Sequence, residues 1–257
     1  LGSGIYRSTR AMTEYDGKLI AGGEMWTEGG VGVSYIAAWD GGSWSSLGSG
    51  TNRNVPALTV YDGKLIAGGN FRTLSGVEVN YIASWDGSRW SPLGSGMNGG
   101  VGALTVYDGK LIAGGGFTTA GGVEANRIAS WHGNRWWPLG SGVDESPWAL
   151  TVHDGKLIAG GYFTTAGGVA ANKIASWDGK SGSPLGSGMA PFYGYVNALT
   201  VYDGKLIAMG DFHTAGGMAA YHIASWDGSS WSPLGSGIDD GGILTGNALS
   251  VFDGKLI

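Results

Sequence analysis

Cysteine is absent from the 257 residues, so the chain has neither a disulfide framework nor a thiolate metal site, and packing must stabilise it. Charged residues make up only 14%, the net charge is −5, and lysine and arginine form no cluster. These absences argue against nucleic acid and anionic membrane surfaces as partners. No apolar run approaches the roughly 18 residues of a membrane-spanning helix, and no basic-then-apolar leader is present, so no membrane insertion is expected.

Glycine and tryptophan are the residues present in excess. The chain contains 52 glycines and 12 tryptophans, and 42% of its residues are hydrophobic. Enough apolar surface is available for a packed core, so the glycine content does not indicate disorder. The composition predicts many short strands joined by tight turns.

A tandem repeat organises the chain. The segment Asp-Gly-Lys-Leu-Ile recurs about every 46 residues, a period at which repeat architectures must be considered first. Its copies begin at Asp16, Asp62, Asp108, Asp154, Asp203 and Asp253. Helical solenoids of similar period are excluded, because the frequent glycines and prolines would each cost about 1 to 3 kcal/mol inside a helix. A parallel β-helix would show much shorter rungs.

The third copy shows the plan of one repeat. Asp108-Gly109 predicts a two-residue hairpin turn, since both residues tolerate the positive φ angles that such a turn requires. Four antiparallel strands in 40 to 50 residues are typical of a β-propeller blade. The predicted strands are Ala103–Tyr107, Lys110–Gly115, Arg127–Trp131 and Trp136–Leu139.

Two further motifs carry a family resemblance. An apolar strand ends in a diglycine at Gly22-Gly23, Gly68-Gly69, Gly114-Gly115 and Gly160-Gly161, with Met209-Gly210 as the departure. Tryptophan pairs follow at Trp39 and Trp44, Trp85 and Trp90, Trp131 and Trp136, and Trp226 and Trp231. The pattern resembles the Kelch repeat of galactose-oxidase-like propellers, and it is similar to repeats of secreted bacterial proteins of unassigned role. The resemblance implies an all-β propeller and an extracellular or cell-surface location, and it leaves the function open.

The repeats predict one propeller domain over residues 1–257. Six blades are expected, the sixth incomplete and shared by the two termini, because such closure hides sheet edges. Five blades or a longer array are the alternatives. The chain starts at Leu1, not methionine, and the intact molecule is expected to extend past Ile257. The complete repeats are placed at about 11–50, 51–96, 97–142, 143–188 and 189–237, with a sixth, partial repeat at 238–257 plus 1–4.

The candidate site comes from differences between the copies. The Asp-Gly turns of one face are nearly constant, whereas the interblade connections of the opposite face vary, and loops commonly carry function. Exposed aromatics beside polar groups suit recognition of sugars. The predicted ligand-binding residues are Tyr6, Arg7, Trp26, Arg53, Arg72, Trp148, Tyr193, Tyr195, Asp211 and His213. The same face is expected to display Arg10, Asp144, Glu145, Phe192, Asp239 and Asp240. Drift of unconstrained loops explains the variation equally well.

No catalytic residue, cofactor or metal site is predicted. His132, His153, His213 and His222 occupy unrelated repeat positions, and a surface or core role is expected for each, with a site role left open for His213 beside Asp211. The acidic pairs Asp144-Glu145 and Asp239-Asp240 lack the ligand spacing of a known calcium loop. The Gly-x-Gly-x-x-Gly at residues 94–99 precedes a strand where dinucleotide binding needs a helix.

Two substitutions within the repeat stand out. Glu14 replaces a valine of the other copies, so it is either buried with a partner or simply exposed. Gly182 replaces the strand-four tryptophan, so the fourth blade is expected to be loose or notched for a ligand.

Three functions remain open. The first is a non-enzymatic secreted or surface propeller that binds a glycan or a protein through the variable face. The second is a propeller hydrolase or lyase, which needs paired carboxylates or a histidine–acid pair near the central channel. The third is a subunit of a surface layer or filament that assembles through exposed sheet edges. The sequence does not determine the oligomeric state.

Overall fold

The computed structural model describes residues 8–28, 30–190, 194–238 and 248–257, and all their regular elements are β-strands. No helix able to cross a membrane occurs among these described residues. Each complete repeat forms one four-stranded antiparallel sheet in which strands one to four pair in chain order. The predicted all-β architecture of four-stranded units is therefore confirmed.

The five sheets have the following strands. The first contains Thr9–Tyr15, Lys18–Gly23, Ile36–Trp39 and Trp44–Ser46. The second contains Ala57–Tyr61, Lys64–Gly68, Ile82–Trp85 and Trp90–Pro92. The third contains Val101–Tyr107, Lys110–Gly115, Ile128–Trp131 and Trp136–Pro138. The fourth contains Pro147–His153, Lys156–Gly161, Ile174–Trp177 and Gly182–Pro184. The fifth contains Ala198–Tyr202, Lys205–Met209, Ile223–Trp226 and Trp231–Pro233. A last hairpin pairs Val251–Phe252 with Lys255–Leu256.

A small hairpin interrupts the connection between strands two and three of every repeat, a feature that the sequence analysis missed. In the third repeat its turn residues Gly121 and Gly122 have φ angles of 61° and 80°, as a two-residue hairpin turn requires. The hairpins pair Thr27–Glu28 with Val31–Gly32, Thr73–Leu74 with Val77–Glu78, Thr119–Ala120 with Val123–Glu124, Thr165–Ala166 with Val169–Ala170, and Thr214–Ala215 with Met218–Ala219. Met189–Ala190 adds a third strand to the last of these.

The chain divides into two compact units. One comprises Leu1–Ala125 and Ala129–Pro138, and the other comprises Asn126–Ile128 and Leu139–Ile257. The first unit holds the first three sheets apart from Ile128, and the second holds the fourth and fifth sheets with the last hairpin. The residues expected to close a sixth blade, 1–4, lie outside the described residues, so the blade number stays a prediction.

The diglycines allow neighbouring sheets to approach closely. A Cβ atom on Gly68 would lie 2.5 Å from Val101 Cγ1 of the next sheet, and one on Gly160 would lie 2.5 Å from Val196 Cγ1. Such distances are far below van der Waals contact, so only glycine fits there. The second glycine faces backbone within its own repeat: a Cβ atom on Gly210 would overlap the Tyr195 carbonyl oxygen. The fifth repeat accordingly keeps Gly210 while its first glycine is replaced by Met209.

Strand-four tryptophans connect consecutive repeats. Each packs against the strand-three tryptophan of its own sheet with ring centres 5.3 to 5.4 Å apart. The indole nitrogen of Trp90 donates to the Leu47 carbonyl at 3.1 Å, and that of Trp136 donates to the Leu93 carbonyl at 3.1 Å. In the second unit Trp231 donates in the same way to Leu185 at 3.0 Å. The acceptor is always the leucine of the preceding Leu-Gly-Ser-Gly segment, which explains why that segment recurs.

Trp44 belongs to the same series. Its indole nitrogen is buried, and it has no hydrogen-bond partner among the residues that the structure describes. Trp90 and Trp136 each bond to a leucine 43 residues earlier in the chain. Counting back the same interval from Trp44 reaches Leu1, which lies outside the described residues.

The fourth sheet lacks this tryptophan, and a cavity lies beside Gly182. The space is apolar, partly open to solvent and small, with a volume of about 20 Å³, and Leu139, Val143, Leu157 and Trp177 are among the residues that line it. A Cβ atom on Gly182 would lie 3.3 Å from the nearest Trp177 ring carbon, so that ring stands close to the missing side chain. The predicted notch is therefore present in the second unit.

Replacing Gly182 with tryptophan should stabilise the protein. The new indole would fill the cavity as the adjacent Trp177 ring moves aside, and it would reach the Leu139 carbonyl, which stands 43 residues earlier like the acceptors of Trp90 and Trp136. We expect the free energy of unfolding to rise by about 1 to 2 kcal/mol and the melting temperature by about 3 to 6 °C, measured by thermal and urea denaturation.

Two variants provide the controls. Gly182→Ala adds only a Cβ atom and should not stabilise, and Trp136→Gly should lower the melting temperature by creating the equivalent cavity in the third sheet. A melting temperature of Gly182→Trp at or below that of Gly182→Ala would contradict the assigned register.

Candidate functional site

Three positions in each repeat carry side chains that differ between the copies. The first directly follows the diglycine segment, and the second comes two residues later, with one buried residue between them. The third directly precedes strand three. The buried residue is Met25, Phe71, Phe117, Phe163 or Phe212, each with 0% exposure. We call the three variable positions the triplet. The triplets are Glu24, Trp26 and Tyr35; Asn70, Arg72 and Tyr81; Gly116, Thr118 and Arg127; Tyr162, Thr164 and Lys173; and Asp211, His213 and His222.

The third triplet position has a left-handed backbone in all five repeats. Its φ angle lies between 64° and 73°, although the residue is never glycine. In the fifth repeat the backbone N–H of His222 donates to the Phe212 carbonyl at 2.8 Å, and its carbonyl accepts from Gly210 at 3.0 Å. Such a conformation costs a residue with a Cβ atom about 1 to 2 kcal/mol. A chain with 52 glycines nevertheless keeps a long side chain here, which points to a role outside stability.

Triplet side chains meet within their own repeat. In the first repeat the rings of Trp26 and Tyr35 lie 5.8 Å apart. In the second repeat Arg72 Nε donates to the Tyr81 hydroxyl at 3.0 Å. The constant backbone therefore brings together side chains whose chemistry changes from repeat to repeat.

In the second unit three aromatic side chains form a connected cluster, which we call the aromatic cluster. Trp148 is 42% exposed and lies between the two tyrosines. Its ring stacks on Tyr162 at a centre distance of 6.4 Å and an interplanar angle of 21°, and it meets the edge of Tyr195 at 5.1 Å. Trp148 therefore presents an accessible indole that its neighbours hold in place.

Polar groups adjoin the aromatic cluster through Tyr195. The backbone N–H of Tyr195 donates to the Asp211 carbonyl at 3.1 Å. Burial raises the pKa of the Tyr195 hydroxyl, and the nearby Asp211 carboxylate raises it further. The hydroxyl therefore stays protonated at neutral pH and can donate a hydrogen bond.

The triplet of the fifth repeat places two imidazoles and a carboxylate together. The rings of His213 and His222 lie 5.4 Å apart, and His222 Nδ1 lies 3.9 Å from an Asp211 carboxylate oxygen. His222 is buried, and its Nδ1 lies 3.2 Å from the Gly210 carbonyl oxygen. This arrangement differs from the expectation that the histidines are unrelated, because the left-handed turn at His222 brings it back towards Asp211 and His213.

Lys173 and Asp144 contribute to the structure of the fourth repeat. Lys173 is buried, and its amine donates to the Tyr162 carbonyl at 3.1 Å beneath the Tyr162 ring. Burial lowers the pKa of Lys173, an effect that the Asp144 carboxylate opposes. The Asp144 carboxylate accepts hydrogen bonds from the backbone of Thr164 and Thr165 at 2.8 Å, so it anchors the small hairpin.

The structure brings four of the predicted site residues into this region of the second unit: Trp148, Tyr195, Asp211 and His213. Three others lie in the first unit and are exposed: Trp26, Arg53 and Arg72. Tyr6, Arg7 and Tyr193 lie outside the described residues, as do Phe192, Asp239 and Asp240. The prediction missed Tyr162, Lys173 and His222, because it compared the interblade connections and not the residues flanking the small hairpin. A position-by-position comparison of the repeats would have found them.

Three other residues singled out in the sequence belong neither to the aromatic cluster nor to the fifth-repeat triplet: Glu14, His153 and His132. Glu14 is exposed on strand one, which supports the second of its two interpretations. His153 is buried with Nε2 3.0 Å from the Gly204 carbonyl oxygen. The Tyr202 hydroxyl similarly donates to the Gly254 carbonyl, so His153 replaces a structural tyrosine. His132 packs beside Trp137 with ring centres 5.9 Å apart.

Comparison with known proteins supports the fold. A sequence profile for the family described as "Domain of unknown function (DUF5122) beta-propeller" matches residues 108–129 and 153–175. No curated protein matches the chain. Among solved structures, the computationally designed Ika8 protein is similar with a TM-score of 0.56 and 16% identity over 98% of this chain and 68% of its own. The WD40 beta propeller domain of Doa1 is similar with a TM-score of 0.51 and 14% identity over 99% of this chain and 90% of its own. The chain has a β-propeller fold.

The free-energy cost of the left-handed backbone at the third triplet position can be measured at Arg127. Arg127→Gly should be more stable than Arg127→Ala by about 1 kcal/mol, because both variants lose the ion pair to Glu145 and only glycine relieves the backbone. Urea denaturation measures the difference. Glu124, on an exposed hairpin strand, serves as the control. There glycine should be less stable than alanine by about 0.5 to 1 kcal/mol. If the glycine variant were more stable than the alanine variant at both positions, or less stable at both, the account would be contradicted.

Proposed function

We propose that this β-propeller is a binding module that holds a neutral saccharide on the aromatic cluster of its second unit. The observation that carries the proposal is the exposed Trp148 ring fixed between Tyr162 and Tyr195. Sugar rings present apolar C–H faces that pack on an indole, and the entropy lost on binding is small when the indole is already held in place.

Polar groups for sugar hydroxyls adjoin this platform. The Tyr195 hydroxyl supplies a donor, and the partly exposed Asp211 carboxylate and the exposed His213 ring supply further hydrogen-bonding groups. A few polar groups beside an apolar surface are the usual composition of a small-molecule site. The net charge of −5 favours a neutral ligand over an anionic one.

The wider biological setting forms part of the same proposal. A location outside the cell or on its surface, and kinship with Kelch-like propellers, rest on the sequence motifs and on the similar repeats of secreted proteins. An enzymatic role draws no support from Glu14, which is exposed on its strand. A protein ligand on the same surface is the alternative outcome of the experiment below.

The proposal is tested by screening the protein on a glycan array and measuring the best saccharide by calorimetry. Trp148→Ala should weaken binding at least about tenfold, since truncating a central aromatic contact usually costs more than about 1.4 kcal/mol. Trp137→Ala is the matched control, because Trp137 is 40% exposed and Trp148 is 42% exposed. Trp137 belongs to the first unit, where it packs with Arg135 and His132.

Two results would reject the saccharide proposal. One is an array with no saccharide bound above background, and the other is equal affinity for the Trp148→Ala and Trp137→Ala variants. A protein partner that the wild type and Trp137→Ala bind and Trp148→Ala does not would assign the same surface to protein recognition instead.

A further inference from the structure

The fifth-repeat triplet offers three metal-ligating side chains within reach of one point. Asp211, His213 and His222 each provide one donor atom, and these atoms all lie within 4.8 Å of one another. The three residues belong to the second unit, at the edge of the aromatic cluster. Their burial is graded, since His222 is buried, Asp211 is partly buried and His213 is exposed.

Two imidazoles with one carboxylate form a common ligand set for divalent transition metals. Zinc sites of this kind use three protein ligands at about 2.0 to 2.2 Å and leave a further position open. Donors at these distances on a tetrahedral ion lie about 3.3 to 3.6 Å apart, so the present separations of up to 4.8 Å must shorten by about 1 Å when the ion binds. Rotation of the exposed His213 side chain can bring its ring nitrogen closer to the other two donors.

The surrounding backbone holds the buried ligand in place. The Gly210 carbonyl oxygen lies 3.2 Å from His222 Nδ1, and a carbonyl partner of this kind commonly orients a metal-binding imidazole. His222 has a φ angle of 65°, so its position depends on the strained conformation shared by all third triplet positions. His213 is fixed at its backbone by an N–H bond of 2.8 Å to the Ala190 carbonyl.

The same backbone in other repeats carries no such set. The fourth repeat has Tyr162, Thr164 and Lys173 at these positions, and the second repeat has Asn70, Arg72 and Tyr81. The fold therefore does not require the donors of the fifth repeat. Their joint occurrence in one repeat needs an explanation specific to that repeat.

We propose that Asp211, His213 and His222 bind one divalent transition-metal ion, with zinc as the representative ion. The metal site shares Asp211 and His213 with the polar edge of the proposed saccharide site but includes none of its three aromatic residues, and metal binding requires no saccharide. An ion held here leaves at least one coordination position open towards solvent on the side of His213.

The chain itself supplies conservative variants for the test. Asp211→Asn introduces the residue that the second repeat has at this position, and His213→Thr introduces the residue of the third and fourth repeats. Both replacements are therefore compatible with the shared backbone. His132→Asp is the control, since it removes a histidine elsewhere and introduces the turn aspartate of the other repeats.

Zinc chloride is titrated by calorimetry into the tag-free, metal-stripped full chain, and Co²⁺ is titrated with its visible ligand-field absorption as the second readout. We expect one ion per chain for the wild type and for His132→Asp, with a tetrahedral-type Co²⁺ spectrum. Affinity should fall at least about tenfold in Asp211→Asn and in His213→Thr. Zinc should raise the melting temperature of the wild type and of His132→Asp more than that of either site variant.

The proposal is overturned if the wild type binds no stoichiometric zinc, or if Asp211→Asn and His213→Thr bind it as tightly as the wild type does. The melting temperatures of the metal-free variants are compared with that of the metal-free wild type. Equal values show that a loss of zinc affinity does not result from a loss of folding. The saccharide assay with metal-free protein is independent, so failure of either proposal can be recognised without the other.

Discussion

The hydrogen bond from a strand-four indole to the leucine carbonyl of the preceding repeat is the interaction on which the rest of the structure depends. It is made by Trp90, Trp136 and Trp231 in a buried setting, where a polar group left without a partner would cost about 1 to 3 kcal/mol. In these three repeats the bond joins the sheet to the Leu-Gly-Ser-Gly segment that precedes it and fixes the spacing between them. Close packing then requires glycine wherever a neighbouring valine approaches, as at Gly68 and Gly160.

This constant framework leaves the triplets free to vary. In four of the five repeats the backbone N–H of the third triplet residue donates to the carbonyl of the buried phenylalanine or methionine, which holds the left-handed conformation whatever the side chain. The same geometry therefore gives an aromatic pair at Trp26 and Tyr35, a cation over a ring at Lys173 and Tyr162, and a cluster of metal-ligating groups in the fifth repeat. Binding chemistry can change in one repeat without disturbing the next.

Much of the fold could be predicted from the sequence because its determinants are local. The Asp-Gly turns, the tryptophan pairs and the strands of the third repeat follow from turn chemistry and periodicity, and strand three begins one residue later than predicted because Arg127 has a φ angle of 64°. The site was predicted only in part. Trp148 and Asp211 were found because they vary in sequence, whereas the approach of Tyr162 and His222 depends on a positive φ angle at residues other than glycine. Residue propensities do not mark such positions, and only a position-by-position comparison of the repeats singles them out.

Solvent exchange of the indole protons, followed by NMR after assignment with tryptophan-to-phenylalanine variants, tests the central interaction most directly. Indole N–H groups bonded to buried carbonyls can exchange only when the sheets separate. The account predicts that the indole protons of Trp90, Trp136 and Trp231 exchange orders of magnitude more slowly than those of the exposed Trp137 and Trp148. Equal exchange rates for the two groups would contradict it.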